Sequence, residues 1–139
     1  ATNVFGSFLC SREGIKRMST RQGGHGGAIV NLSSAAARLG APDEYIDYAA
    51  AKGAIDSMTL GLAKEVAGEG IRVNAVRPGL IATQIHASGG EPERVARVSP
   101  SIPMGRGGLP MEVAEAILWL ASEQASYVNG ALLDVSGGR

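Results

Sequence analysis

The chain has 139 residues, 45% of them hydrophobic and 19% charged, which is the make-up of one folded globular domain and not of a disordered segment. Its 13 basic and 13 acidic side chains cancel, so it has no strong field for phosphate backbones or anionic lipid, and neither nucleic acid nor a membrane is expected as a partner. The single cysteine, Cys10, cannot close an internal disulfide, and together with His25 and His86 it offers none of the paired spacings of a metal site; no metal is expected, and a reducing cytoplasm is the expected location.

The opening run, Ala1 to Gly6, has neither the basic flank nor the apolar core of a signal peptide, and it lacks both a methionine and a helix cap, so the sequence is expected to begin inside an element. Val4, Phe5, Phe8, Leu9, Ile15 and Met18 recur at helical spacing and predict an amphipathic helix up to about residue 21. Glycines 23, 24, 26 and 27 break it. Because they follow a helix and precede a strand, they are not expected to cradle phosphate, which needs a loop that opens a helix N-terminus. Ala28 to Leu32 then reads as a strand buried on both faces, and Ser33 to Glu44 as a loop of small residues.

From Ile46 to Ala67 an alanine-rich stretch carries Ile55, Met58, Leu62 and Val66 on one face, and Gly68 and Gly70 end it: a long helix. Ile71 to Val76 is a second strand, stopped by Pro78 and Gly79. Residues 86–109 are rich in Ser, Pro and Gly around one short helical stretch, Pro92 to Val98, and hold too little apolar content for a fixed core element. Met111 to Ala121 predicts an amphipathic helix, and Ala131 to Val135 a third strand. Alternating helices and strands joined by short links predict an α/β fold with a parallel sheet. One flank of this three-stranded sheet would present unpaired backbone, so something is expected to lie against it.

Chemistry concentrates at Tyr48-Ala49-Ala50-Ala51-Lys52, where a phenol and an ammonium lie one helical turn apart on the same face. A tyrosine that takes a proton from an alcohol near neutral pH must have its usual pKa of about 10 lowered, and a fixed positive charge favours the phenolate. A Tyr with Lys four residues on arises by chance in roughly one chain of this size in five, and its bland reading is a half-buried phenol beside a snorkelling lysine. Two neighbours add weight: Ser33-Ser34 ends the first strand and Pro78-Gly79 follows the second, at the strand ends where open α/β sheets bind ligands. His25 and His86 read as loop residues, with Ile85, His86 and Met104 as pocket-lining guesses. Asn31 and Asn74 read as ties to loop backbone, and the face of Val113, Ile117, Leu118 and Leu120 as core or oligomer contact, with Trp119 either.

In order and spacing, three segments resemble the central signature of the short-chain dehydrogenase/reductase family: Ile29-Val30-Asn31-Leu32-Ser33-Ser34, Tyr48-Ala49-Ala50-Ala51-Lys52, and Ile71 through Pro78-Gly79 to Thr83. Gly105-Arg106 through Ala114, Leu120-Ala121-Ser122 and Val135-Ser136-Gly137-Gly138 resemble its C-terminal segment. The resemblance implies a Rossmann-like, doubly wound parallel sheet, of which residues 1–139 are the C-terminal catalytic half of a single domain. It implies hydride transfer between NAD or NADP and a small-molecule secondary alcohol or carbonyl, such as a sugar or ketone. Tyr48 is then the general acid/base. Lys52 assists it and holds the nicotinamide ribose, Ser34 binds the reacting oxygen with Ser33 the near miss, and Asn3 holds a water in the proton relay. Pro78, Gly79, Ile81 and Thr83 line the nicotinamide.

A homo-oligomer, tetramer or dimer, packed through the Tyr48 helix and the C-terminal helix and strand, follows by the same resemblance. The sequence departs from the family pattern in two ways. The link from Ser34 to Tyr48 is slightly long, with Tyr45 a second phenol inside it. The glycine-rich phosphate turn, the selector after the second strand and the Asn-Asn-Ala-Gly stretch are missing, so the piece alone is expected to be inactive. The alternatives are a non-catalytic binding or regulatory module of the same fold and a Ser34 hydrolase, the latter weakened by the lack of a Gly-x-Ser-x-Gly elbow.

Overall fold

Successive residues of a strand face opposite ways, and β1 (Gly27–Leu32) and β2 (Ile71–Pro78) carry apolar side chains on both sides. Ile29, Ile71 and Val73 join Ala63 and Val66, with Ile15, Met18 and Leu62 packed against them, in one cluster. Val30, Val76, Leu133 and Val135 join Val113, Ile117 and Leu120 in another. The sheet therefore separates two apolar layers, with α1 (Ser7–Met18) and α3 (Ile46–Glu65) on one face and α6 (Pro110–Ala121) on the other. The structure is a computed structural model that describes residues 2–139. β3 (Leu132–Val135) completes a parallel sheet in the order β1-β2-β3, with Val30 opposite Asn74 and Val76 opposite Leu133. The expected α/β architecture of three parallel strands with flanking helices is present.

Turn chemistry fixes the joints. α3 stops before Val66, and Gly70 takes a left-handed φ of 77° where an added Cβ would press on Thr20 at 3.2 Å. At the far end of the sheet Arg72 donates to the carbonyls of Leu120 at 2.8 Å and Ser122 at 3.0 Å, satisfying acceptors that α6 leaves open at its C-terminus. Asn74 donates to Val128 O and accepts from Ala131 N, both at 2.9 Å, so it ties down loop backbone as expected.

Glu112 anchors the start of α6. It accepts from Leu109 N at 2.7 Å and pairs with Arg106 through both carboxylate oxygens, which holds its carboxyl at about 2, below the ordinary 4.5. A depressed carboxyl pKa stabilises the fold above the unfolded value and loses that contribution as pH falls through the folded one. Wild type is therefore expected to exceed Glu112→Gln in urea stability at neutral pH, with the difference shrinking from pH 4.5 and gone near 2. A gap that persists below that window would assign the effect to something other than the ionised pair.

Several expectations change. β1 is not buried on both faces: only Asn31 is buried along it, and Leu32 is 54% exposed. Its outer edge has no strand partner among the described residues, and Phe5, Phe8 and Leu9 are exposed as well, so the apolar pattern exceeds the surface that covers it. The first helix is not one element. It opens with a π-helical turn, Thr2–Gly6, and ends at Met18, where Ser19 starts a separate 3₁₀ turn by accepting from Arg21 N. The 33–44 loop contains the short helix α2 (Ala36–Leu39).

The 86–109 segment also differs. It begins with α4 (Ile85–Ser88), continues into α5 (Arg94–Val98), and buries Val98 and Ile102, so two apolar residues suffice to pin it. On α6, Val113 and Leu120 are core, whereas Leu118 is exposed because its direction points off the sheet.

Candidate active site

Tyr48 lies in the first turn of α3 and Lys52 one turn on, and the helix repeat brings them to one face. The Lys52 Nζ sits 5.6 Å from the centre of the Tyr48 ring. Tyr48 is 37% exposed, whereas Lys52 is buried to 8%. Burial pushes the Lys52 ammonium below its ordinary range, and the nearby Asp56 carboxylate opposes that shift.

The end of β1 meets this pair. Lys52 Nζ donates to Leu32 O at 2.7 Å, and the buried Ser33 hydroxyl donates to Lys52 O at 3.2 Å, so strand and helix are joined in both directions. Ser34 is half-buried and accepts from Ala36 N at 3.1 Å, which fixes it at the entry to α2. Asn31 does not tie down loop backbone: its amide donates to Thr59 Oγ1 at 2.9 Å, and that hydroxyl donates to Ile55 O at 2.8 Å, inside the α3 interface.

Asn3 lies in the π-helical turn, which widens the backbone at the point where Asn3 and Lys52 border one cleft of about 440 Å³. Ser7, Ser11 and Asn31 line it too. Pro78 ends β2, with its carbonyl accepting from Ala35 N at 2.9 Å, which holds the Ser34 loop beside the β2 end. Gly79 donates to Val135 O at 3.0 Å and lies so close to Ser136 that an added Cβ would stand 2.8 Å from its Cα. Ile81 bridges to Gly108, and its carbonyl meets His86 Nε2 at 2.7 Å; Thr83, beside them, is exposed. Ile85 is exposed, and Met104 lines a different cleft, with Leu80, Arg106 and Gly137.

The glycine loop is closed on itself: Gly24, Gly26 and Gly27 donate to Ser19 O, Met18 O and Gly70 O at 2.9, 2.8 and 3.0 Å. Those amides are spent and hold no phosphate. Among the described residues no three His, Cys, Asp or Glu side chains are grouped to hold a metal ion, and no helix is long and apolar enough to cross a membrane.

A family model described as enoyl-(acyl carrier protein) reductase matches residues 1–139. The chain belongs to the short-chain dehydrogenase/reductase family. It is 63% identical over 139 residues to the uncharacterized oxidoreductase YgfF of Escherichia coli strain K12, covering 100% of this chain and 56% of that protein. It is 45% identical over 140 residues to a galactitol 2-dehydrogenase (L-tagatose-forming) of Cereibacter sphaeroides, covering 99% of this chain and 54% of the relative. The crystal structure of the acetoin dehydrogenase YohF from Salmonella typhimurium superposes with a TM-score of 0.81 at 40% identity, over 98% of this chain and 51% of that one. This short-chain dehydrogenase/reductase chain thus spans about half the length of the curated relatives it matches.

Within the family frame, the fold brings Tyr48 and Lys52 together directly, Lys52 and Asn3 to one cleft, and the Ser34 loop to the end of β2. Ser34 accepts a hydrogen bond from Ala36 N, and Thr83 is exposed. Sequence reasoning missed the Leu32 carbonyl, which no residue type announces, and the second function of Ser33 as the tie to α3. It also missed Asp56 paired with Arg77, at 2.8 Å across 21 residues of sequence. Asp56 four residues beyond Lys52 was the available signal.

Proposed function

We propose that the protein is an NAD- or NADP-dependent oxidoreductase that interconverts a secondary alcohol and a carbonyl, with Tyr48 as general acid/base. One observation carries the reading: a buried ammonium lies 5.6 Å from the ring of a half-exposed phenol and is anchored on Leu32 O at the strand end. A nicotinamide, when bound, supplies the hydride donor or acceptor. Tyr48 exchanges the proton with the substrate oxygen, and Lys52 holds positive charge beside the phenol as it ionises. Ser34 steadies developing charge on the reacting oxygen. Asn3 and Lys52, on their shared cleft, extend the proton path away from the reacting atoms. Pro78, Gly79, Ile81 and Thr83 line the carboxamide side.

The donor set fits the nicotinamide end of a dinucleotide in its chemistry, with the Lys52 ammonium beside the Tyr48 phenol; the cleft that Lys52 shares with Asn3 follows the open edge of β1 and is not lined by Tyr48, Ser34 or residues 78–83. The described residues do not fit its phosphates, since the glycine amides are spent on carbonyls. We infer that the phosphate site and the strand that pairs the open edge of β1 belong to the rest of a longer protein, of which this is the C-terminal catalytic half and is inactive alone. The exposed Leu118 and Trp119 of α6 support a homo-oligomer, dimer or tetramer, and the balanced charge and lone cysteine support a cytoplasmic enzyme.

The relatives named for galactitol and acetoin oxidation point to polyols and acyloins as first probes. Full-length protein is expected to reduce NAD⁺ or NADP⁺ with at least one of galactitol and acetoin, followed by the absorbance of the reduced nicotinamide; no reduction with either would count against the substrate class. A non-catalytic module of the same fold is favoured by the lack, in this sequence, of the family's glycine-rich phosphate turn. Fluorescence titration separates the two: the 139-residue chain is expected to show no saturable binding of NADH or NADPH, and the full-length protein to bind one of them. Full-length protein that binds a dinucleotide yet reduces it with no alcohol would favour the module.

A further inference from the structure

Two buried charges in this molecule are one helical turn apart. Lys52 and Asp56 are each only 8% exposed, and i,i+4 spacing puts their side chains on the same face of α3. Arg77 on β2 donates to Asp56 Oδ2 through Nε at 3.0 Å and through a terminal nitrogen at 2.8 Å. Both bonds fall on one oxygen. The other, Oδ1, is buried and has no hydrogen-bond partner among the described residues. Lys52 Nζ, bonded to Leu32 O, does not supply that partner, so its link to the buried Asp56 carboxylate is through space, across one turn of the helix face they share.

We propose that Asp56 is a positioning residue for Lys52: held by Arg77, its carboxylate is the counter-charge that keeps the buried lysine an ammonium beside Tyr48 and Leu32 O. The inference rests on the catalytic reading of Tyr48 and Lys52 and adds to it how that site keeps its charge. Besides Asp56, the titratable and charged groups around Lys52 are Tyr48 on α3, Arg77 on β2 and, beyond it, Asp134 on β3, 3.9 Å from Arg77 and 3.8 Å from Arg38 of α2, with Cys10 of α1 on the cleft wall. Asp56 is the one acidic side chain on Lys52's own helix face, and it opposes the effect of burial on the ammonium. Arg77 tempers it, being a cation at the far side of the same carboxylate, and Asp134 in turn partly offsets Arg77.

The test is made on the full-length protein. The pH dependence of Lys52 acetylation by trace acetic anhydride, read by mass spectrometry, reports the ammonium without turnover. The alkaline limb of kcat/KM, on whichever alcohol of the panel is oxidised, reports it in catalysis. Asp56→Asn keeps the shape and one acceptor for Arg77, and is expected to move the labelling midpoint and the alkaline limb down together by about one pH unit, tenfold in the deprotonation constant. Asp56→Glu is expected to restore most of the shift. Should the Asn variant fail to fold, Arg77→Gln approaches from the other side: it leaves the carboxylate untempered and is expected to move both readouts up.

An Asn variant that folds with its Lys52 midpoint unmoved overturns the inference, as does a downward or null shift in Arg77→Gln. The catalytic reading fails separately, if Tyr48→Phe keeps its turnover; the labelling midpoint then still judges the link between Lys52 and Asp56.

Discussion

Tyr48→Phe in the full-length protein is expected to lower kcat/KM by about 10²–10⁴-fold, the range general acid/base groups contribute. The substitution removes one hydroxyl from a residue that is 37% exposed and lies outside both core clusters. Its ring stays beside the Lys52 ammonium, 5.6 Å from the centroid, so the contact that places Lys52 is retained. Far-ultraviolet circular dichroism and the urea midpoint should be unchanged, and NADH or NADPH affinity nearly so. Loss of turnover without loss of fold or dinucleotide binding is the signature of a missing proton carrier. A variant with wild-type kcat/KM would remove Tyr48 from the mechanism, and the same substitution at Tyr45 is the control. Tyr45 has Ala49 four residues on, and the cation facing its ring, at 6.0 Å, is Arg94 of α5, which is itself bound to Glu44 and Glu91. Tyr45→Phe is expected to leave turnover within about twofold, since surface changes away from such features act weakly.

What the sequence made legible depended on how local the cause was. α3, β2 and α6 were readable to within a few residues, because an apolar pattern and a glycine or proline at one end or both specify them: Gly68 and Gly70 after α3, Gly70 and Pro78 around β2, Pro110 at the start of α6. The Tyr48–Lys52 pair was readable for the same reason: a single helix turn sets their separation. α2 and α4 were not, being four-residue turns whose formation depends on Ser34 and on the neighbouring strand ends instead of on any period. The burial of β1 was misjudged because burial belongs to whatever covers a strand, and the composition of Ala28 to Leu32 is silent on that. The site's less visible half, Leu32 O, Ser33 and the Asp56–Arg77 pair, joins residues about 20 apart in sequence and uses a backbone carbonyl in one case, so only the register of β1 on β2 and the packing of α3 on both bring it together.

That packing can be tested on α6, where two leucines two residues apart ought to behave oppositely. Leu120 is fully buried against Val76 and Val113, and its carbonyl takes the Arg72 guanidinium at 2.8 Å, so Leu120→Ala opens a cavity at the point where helix and central strand are tied. Core Leu→Ala changes cost about 2–5 kcal/mol, and the upper part of that range is expected here because Arg72 holds the helix end in place and limits collapse into the void. Leu118 has the same chemistry and the same helix, yet it is 65% exposed in the single chain, and at concentrations where the protein is a monomer Leu118→Ala is expected to change stability by no more than about 0.5 kcal/mol. Urea unfolding of the two variants reads the contrast directly. Equal losses would mean that α6 docks through a different face, and β2 would then lose the support that holds Pro78 at its end beside the Ser34 loop.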